Sequence, residues 1–459
     1  MKAVYLWSAC WSDKSITDAI DIARTVIVYD VEEYSVDPEY IDGLRNKNRA
    51  FPTSSSSYTP KSAKFRTYNG LCREKIIGKV VNDFRLFQLH SRLSRFDTSS
   101  SFSFACKCND AVDYALEFLD KYKVTEILCS YTPHTFEGFI FIKTLEICGV
   151  SIVRLSTSPL PWVTYSLSGL ENSGVDQFRE IGTLDKDAAI SRVKDYFKKL
   201  NSNYENALPY YERKTPVSIK NSISRVPSFF NIKKLAKWVL KERVRKDFSR
   251  FARDISTESR YGIYFLHCQP EANTMPEAGI YYDQLQVIKK LSDALPSDTT
   301  LLVKEHPSTF SRECDVRYRP NGFYARLCEI RNVKICPIDS STFSLIDNSK
   351  FVASISGMCM TEALARSIPV ISFNPLRFKD FPPDAVIDGY SVSRVSLPKR
   401  LSEILHKSYS FPKNDVFLSF VNLESFGYVS ASDEVFVPTS VLDQKVMSLN
   451  TNRKAVIDF

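Results

Sequence analysis

Short apolar runs alternate with segments of helical spacing along most of the chain. Ala3-Val4-Tyr5-Leu6 comes first, followed by a polar turn through Ser12 and Asp13, a helix-like stretch from Ala19 to Ala23 and a second apolar run from Thr25 to Tyr29. A clearer strand-helix-strand unit lies further on. Ala111 to Tyr122 has helical spacing, Thr125 to Cys129 is extended, Phe139 to Cys148 is helical and Ser151 to Leu155 is extended. Gly149 marks the end of the second of these helices, since glycine adopts the left-handed conformation of a helix C-terminus without a Cβ clash. Strands that alternate with helices in this way build a parallel sheet with helices on its faces.

The alternation resumes with a cleaner rhythm at Gly262 to His267. It continues through a helix from Tyr281 to Ala294, a strand ending at Val303, a helix from Phe323 to Ile330 and a strand from Val333 to Cys336. A short helix from Phe343 to Asn348, a strand from Phe351 to Ile355, a helix ending near Arg366 and the run Val370 to Phe373 complete it. Between the two regions Lys233, Lys234, Lys237, Lys241, Arg243, Arg245, Lys246, Arg250 and Arg253 face few acids, and Leu235, Trp238, Val239, Phe248 and Phe251 fall on roughly one helical face. This pattern predicts a basic amphipathic helix that either docks by its apolar stripe or rests on anionic lipid headgroups. Thr53 to Tyr58 and Thr98 to Ser103 are serine-rich, bracket a basic and aromatic region, and read as exposed loops. The predicted organisation is an N-terminal Rossmann-like domain over 1–215, a basic linker over 216–258, a second Rossmann-like domain over 259–390, and a C-terminal helix near Leu397 to Leu405 with its tail over 391–459. The expected class is α/β, two parallel-sheet domains facing a cleft.

Size and charge narrow the picture only a little. A chain of 459 residues exceeds one ordinary core, and 44% hydrophobic with 25% charged residues is globular composition. The net charge of +8 favours anionic partners without selecting among nucleotide phosphates, acidic glycans or an anionic membrane surface. Eleven scattered cysteines lack zinc or thioredoxin spacing, and Met1 to Leu6 starts like a strand rather than a secretory signal. Reduced thiols and a cytoplasmic protein, soluble or peripheral at the inner membrane, are therefore expected.

Candidate chemistry gathers where strands end, because open α/β sheets bind ligands outside the carboxyl ends of their strands. The run Leu301-Leu302-Val303 delivers Lys304, Glu305, His306 and Pro307 into a loop. An imidazole there donates to a phosphate oxygen or protonates a leaving group near neutral pH. Ser354-Ile355-Ser356-Gly357 opens into a helix start carrying Thr361 and Glu362, where backbone N–H groups, hydroxyls and a glycine suit phosphate and Glu362 suits ribose hydroxyls. The loop after Gly262 to His267 holds His267, Gln269, Glu271 and a Pro276-Glu277-Ala278-Gly279 turn. In the first half, Ser130 to Glu137 follows a strand and offers His134 and Glu137 as general bases, with Asp13 a further candidate. Two strand ends suited to phosphate and ribose point to a nucleotide-sugar site. No Asp-x-Asp pair or carboxylate cluster stands at a strand end, so protein donors are expected to stabilise the leaving phosphate, with neither metal nor cofactor.

Tyr264 to Ala272, Leu285 to Pro296, Val303-Lys304-Glu305-His306-Pro307, and Ile355-Ser356-Gly357 through Pro369-Val370-Ile371 together resemble bacterial capsule and surface polysaccharide biosynthesis proteins. A weaker echo runs from Ser130 to Tyr165. The resemblance implies a glycosyltransferase of the GT-B type, with the donor held mainly by the second domain, the acceptor by the first, and no metal. The His-Pro pair is also similar to that of bacterial sialyltransferases and Kdo transferases, which implies donor-phosphate contact by His306 and by Ser354 or Ser356. Met358-Cys359-Met360 departs from the small, glycine-containing residues common in that turn.

The expected activity is transfer of a sugar from a nucleotide-sugar donor, with a CMP-sugar among the candidates, to a capsular polysaccharide or lipid-linked glycan. His306, His134 and Glu137 are the catalytic candidates, and Lys304, Glu305, Gln269, Glu271, Ser354, Ser356, Gly357, Thr361 and Glu362 the donor-binding ones. No nucleic-acid partner is expected. A sugar-nucleotide epimerase and a non-catalytic glycan-binding or scaffold protein of polysaccharide export are the alternatives.

Overall fold

The structure, a computed structural model, describes residues 2–6, 25–29, 50–52, 67–94, 101–129, 132–160, 163–170, 186–202, 232–255, 258–269, 271–310, 319–406, 408–426, 428–431 and 434–435. The chain divides into two compact units. One comprises Met1–Ala189, Met275–Glu277 and Asn422–Phe459, the other Ile190–Thr274 and Ala278–Val421.

The first unit is built on β1 (Lys2–Leu6), β2 (Thr25–Tyr29), β3 (Ala50–Pro52), β4 (Glu126–Cys129), β5 (Ser151–Thr157) and β6 (Val163–Ser168), with α1 (Arg73–Val81), α2 (Phe84–Ser94), α3 (Ser101–Tyr122) and α4 (Phe136–Ile147). With β13 (Tyr428–Ala431) and β14 (Glu434–Val435) from the C-terminal segment, its sheet runs β14-β13-β6-β5-β4-β1-β2-β3. The strands from β3 to β5 pair in parallel, and β6 turns back antiparallel on β5. Helix α4 starts where Thr135 accepts a hydrogen bond from the Gly138 amide at 3.2 Å. It buries Phe136, Phe139, Ile140, Phe141, Ile142 and Leu145 around most of its circumference, as a helix enclosed by other elements does. Phe141 meets Phe118 of α3 with ring centroids 5.1 Å apart. The second serine-rich stretch, read as an exposed loop over Thr98 to Ser103, is in part helical: α3 begins at Ser101. Apolar spacing from Phe102 onward outweighs the loop preference of the serines. Thr53 to Tyr58, Asp13 and Ala19 to Ala23 lie outside the described residues.

The second unit contains α5 (Lys186–Ser202), which starts in the first, and α6 (Ile232–Phe251). Then come β7 (Tyr261–Phe265), α7 (Gln284–Ala294), β8 (Thr300–Lys304), α8 (Phe323–Glu329), β9 (Val333–Ile335), α9 (Thr342–Asp347), β10 (Val352–Ser354), α10 (Cys359–Ala365), β11 (Val370–Ser372) and β12 (Val386–Asp388). Helix α11 (Ser396–Ile404) and helix α12 (Lys413–Phe426) follow, the latter ending in the first unit. The six strands order as β12-β11-β10-β7-β8-β9, all neighbours parallel. In strand numbers this is 6-5-4-1-2-3, the doubly wound arrangement, and its direction reverses between β7 and β10. Beyond α12, β13 (Tyr428–Ala431) pairs antiparallel with β6 and with β14 (Glu434–Val435), which returns part of the C-terminal segment to the first unit's sheet.

The basic segment expected as a linker over 216–258 is, where described, a docked helix. Val244 and Phe248 of α6 are buried in the second unit's core, and Phe248 lies 5.2 Å from the Tyr324 ring. Burial of the apolar stripe fixes the helix to this unit, which extends back to Ile190. Among the described residues no helix is long and apolar enough to cross a membrane.

Gly262 on β7 lets the fully buried Phe351 ring lie directly on the strand, because a Cβ at this glycine falls inside that ring. Gly262→Ala is therefore expected to destabilise the protein by about 3 kcal/mol, the upper part of the usual overpacking range. The loss is read from the urea midpoint. Phe351→Leu in the same chain recovers part of it, since residues in contact do not act additively.

Candidate functional site

The reversal point of the second unit's sheet carries the densest polar geometry. His267 stands two residues beyond β7 and is buried. Its Nε2 accepts from the Ser356 amide at 3.2 Å and lies 3.0 Å from the Ser354 hydroxyl. An amide N–H only donates, so Nε2 is the acceptor and the ring proton sits on Nδ1. That nitrogen faces the Glu271 carboxylate at 3.1 Å. The His267 backbone is also clamped: its N–H donates to Gln284 Oε1 at 2.7 Å and its carbonyl accepts from Arg319 Nη2 at 2.8 Å. The imidazole is thus aimed across the junction of β7 and β10. The Ser356 hydroxyl beside it is buried and has no hydrogen-bond partner among the described residues.

Arg377 fixes the far side of the Ser356 turn, donating through Nη1 to the Ser356 carbonyl and through Nη2 to Met358 Sδ at 3.0 Å. Gly357 permits a close approach, although by the chain's own atoms. A Cβ there would stand 3.0 Å from Ser354 Oγ and 3.1 Å from Cys359 Sγ. Thr361 is buried within α10 and Glu362 is half-buried on its first turn. Burial first, then the Glu362 charge, pushes the Tyr196 hydroxyl of α5 well above its ordinary value, which places that tyrosine near the start of α10.

Lys304 and Glu305, expected to touch a donor, are turned into the second unit's interior. Glu305 is fully buried and its two oxygens accept from Arg319 Nε and Nη2 (2.8 Å each), the Tyr324 hydroxyl (2.7 Å), the His306 amide (2.8 Å) and the Thr309 hydroxyl (2.9 Å). Burial alone raises this carboxyl, but the Arg319 guanidinium and these donors outweigh it and hold it below the usual carboxylate range. The buried Lys304 ammonium donates to the carbonyls of Pro337, at 3.0 Å, and Ile338. Burial lowers its pKa to about 8. Both side chains fasten loops of the second unit.

His306, half-buried, is held through its backbone: its amide donates to Glu305 and its carbonyl accepts from Thr309 N at 2.9 Å. Strand β7 lies between β8 and β10, so the end of β8 is two strand spacings, about 10 Å, from the serines. The imidazole in contact with Ser354 and Ser356 is that of His267. Gln269 is buried and donates to the Tyr282 carbonyl at 3.1 Å, which shapes the same loop. Cys268, between these two residues, is disulfide-bonded, so the expectation of reduced thiols fails there; among the described residues eight other cysteines are free.

In the first unit, His134 is buried and its Nδ1 donates to the Thr132 carbonyl at 3.2 Å. Glu137 occupies the first turn of α4. Burial, with the Glu137 charge adding to it, pushes the Cys108 thiol up to about 12. The buried Arg154 guanidinium on β5 donates to Thr132 Oγ1 at 2.9 Å and lies 3.5 Å from Glu277 Oε1, which also accepts from the Thr132 hydroxyl. Loop and strand end are thereby locked together at β4, beside the reversal point of this sheet between β1 and β4.

Arg319, Tyr324, Gln284 and Arg377 were not singled out from the sequence. Only Gln284 left a trace, as a polar residue directly after the helix-capping Asp283, whose side chain accepts from Leu285 N at 3.1 Å.

No protein-family model matches the chain and no curated protein matches its sequence. Several solved structures are similar in fold. The UDP-GlcNAc 2-epimerase of Methanocaldococcus jannaschii, crystallised with UDP-GlcNAc and UDP, is 10% identical over 92% of this chain and 98% of that one, with a TM-score of 0.29. KpsC of Thermosulfurimonas dismutans, a β-Kdo 2,7 transferase, is 12% identical over 74% of this chain and 96% of that one, with a TM-score of 0.29. CalG4, the calicheamicin glycosyltransferase, is 9% identical over 99% and 98% of the two chains, with a TM-score of 0.26. The neighbours are thus sugar-nucleotide epimerases and glycosyltransferases. At these scores the likeness carries no weight for substrate or mechanism.

Arg319→Met leaves the Glu305 carboxylate buried without its counter-charge and is expected to cost about 3–5 kcal/mol at neutral pH. The sign with pH follows from the lowered carboxyl. The pair's contribution is complete above the unfolded carboxylate pKa of 4.5 and is lost as pH falls through the folded value. The stability gap between wild type and variant in urea unfolding is therefore widest at neutral pH and narrows in acid.

Proposed function

We propose that this protein is a glycosyltransferase whose nucleotide-sugar donor sits at the carboxyl edge of the second unit's sheet, beside the junction of β7 and β10. The observation that carries the reading is the meeting of the His267 imidazole with Ser354 and Ser356 at the strand-order reversal, where a buried Ser356 hydroxyl has no hydrogen-bond partner among the described residues. Doubly wound sheets bind nucleotides at this place. Cleavage of the glycosidic bond leaves negative charge on the departing phosphate. In this reading the Ser354 and Ser356 hydroxyls donate to it, Gly357 and Thr361 line its turn, and Glu362 accepts from ribose hydroxyls. His306, carried on the Glu305-braced loop, donates to the phosphate or protonates it as it leaves. Glu271 orients His267, Gln269 shapes the loop, and Lys304 and Glu305 are positioning residues. His134 or Glu137 takes the proton of the acceptor hydroxyl, which belongs to a surface polysaccharide or lipid-linked glycan.

Thermal unfolding with CMP, UDP and GDP tests the donor site, since a ligand bound only by the folded state raises Tm by mass action. One nucleotide is expected to stabilise wild type and to stabilise Ser356→Ala less. His306→Ala should lower transfer by about a hundredfold with the fold intact. Unchanged turnover in that variant removes His306 from the mechanism.

The pairing of His267 with Glu271 favours one second reading, a sugar-nucleotide epimerase, which needs an acid and a histidine at the sugar. Interconversion of a nucleotide-sugar without any acceptor identifies it; nucleotide release that requires acceptor identifies the transferase.

A peripheral position at an anionic membrane fits the exposed Arg243, Lys246 and Arg250 of α6. Neutralising Lys237, Lys241, Arg245 and Lys246 together is expected to weaken co-sedimentation with anionic vesicles, more at low salt than at high.

A further inference from the structure

A cavity of about 430 Å³ opens in the second unit between α7 and the segment after β12, apart from the serines and histidines of the donor site. Lys289, Lys290, Gln286, Tyr281, Tyr390 and Arg394 line it. Its volume falls within the roughly 300–1,000 Å³ common for small-molecule sites.

The charge is the informative part. The Lys290 ammonium is 7% exposed and donates to the Tyr281 hydroxyl at 2.7 Å and the Gly389 carbonyl at 2.8 Å. It also lies 4.9 Å from the Tyr281 ring and 5.7 Å from that of Phe373. None of these partners is a carboxylate. An ammonium has three protons, so one remains after these two hydrogen bonds. Burying a cation without a counter-charge is costly, and an anion in the cavity offsets that cost. Arg394 at the rim is exposed and has no ion-pair or hydrogen-bond partner among the described residues, which leaves its planar fork open to a carboxylate or phosphate. Lys289 pairs with Asp293 at 3.0 Å, but both are largely exposed, so the pair holds it weakly.

The walls add a second requirement. Tyr281 and Tyr390 meet edge to face at 5.3 Å and present flat apolar surfaces with polar rims, and Gln286 offers both donor and acceptor. Such walls suit the C–H face and hydroxyls of a sugar ring. We propose that the cavity is a binding site for an anionic sugar unit, its acidic group held by Lys290 and Arg394 and its ring against the two tyrosines. The acid is either the carboxylate of an acidic sugar or the phosphate of a sugar phosphate. The site stands independently of the donor reading.

The full chain is titrated calorimetrically with a uronic-acid disaccharide, a hexose 1-phosphate and a neutral disaccharide, and UDP affinity is measured alongside. At least one anionic probe is expected to saturate at millimolar concentration or below, with the neutral disaccharide at least about tenfold weaker, a difference of about 1.4 kcal/mol. Arg394→Gln, an exposed substitution that leaves the fold alone, should weaken the anionic probe about tenfold, and K289Q/R394Q more, with UDP affinity at the wild-type value. Which acid saturates identifies the source. The proposal is overturned if neither anionic probe saturates, if the neutral disaccharide binds equally well, or if R394Q matches wild type. Loss of UDP binding from wild type would sink the donor reading and leave this one standing.

Discussion

The geometry of the second unit depends on one buried ion pair. Glu305 closes β8 and Arg319 arrives from the far end of the following loop, and their bidentate contact is almost wholly shielded from water. Arg319 also holds the His267 carbonyl, and Glu305 also holds the His306 amide. Two adjacent strand ends, each with an imidazole just beyond it, are thereby tied to a single pair of charges. Replacing such a pair by apolar side chains is often neutral for stability, so its stabilising energy is weak evidence for its role. What an apolar pair lacks is direction: five donors on one carboxylate fix the backbone of the β8 loop, and the guanidinium carries that fix over to β7.

The order of the strands then decides what those loops face. Because the sheet reverses between β7 and β10, the loop after β7 leaves one face of the sheet and the segment after β10 the other, and the space between their starts is not crossed by a connection. His267 spans it, receiving the Ser356 amide on Nε2. Arg377 closes the other end of the same turn through the Ser356 carbonyl. The turn is held by its main chain on both sides, and its buried Ser356 hydroxyl has no hydrogen-bond partner among the described residues. Rigid backbone with an unpaired donor is the arrangement that binds an anion without reorganising to receive it.

The alternation of apolar runs made most of the second unit legible in advance, since strands buried on both faces read as short continuous apolar segments and their helices as 3.6-residue patterns. The strand ends at Lys304 and Ser354 were visible for the same reason. The roles of the residues at those ends were less visible. Lys304 and Glu305 look like ligand groups in a polar loop, yet their partners, Pro337, Ile338, Arg319 and Tyr324, come from later in the chain and turn both inward. Arg319 precedes Pro320-Asn321-Gly322 in a stretch with no periodicity, so nothing local announces it. The helix from Ser101 was hidden by serines whose local preference is for turns, and the antiparallel return of β13 onto β6 depends on pairing over a sequence distance that no local pattern encodes.

His267 and His306 stand at neighbouring strand ends in different surroundings. The ring of His267 is engaged at both nitrogens, by Ser356 and Glu271, so its orientation is set before any ligand arrives. A side chain so constrained serves geometry: moving it disturbs the turn of β10 and the loop of β7 together. The backbone of His306 is held by Glu305 and Thr309, through its amide and its carbonyl respectively, and the residue is half-buried where His267 is enclosed. The ion pair at Glu305 fixes the backbone of both, and the strand order places His267 at the junction of β7 and β10 and His306 at the next strand end, that of β8.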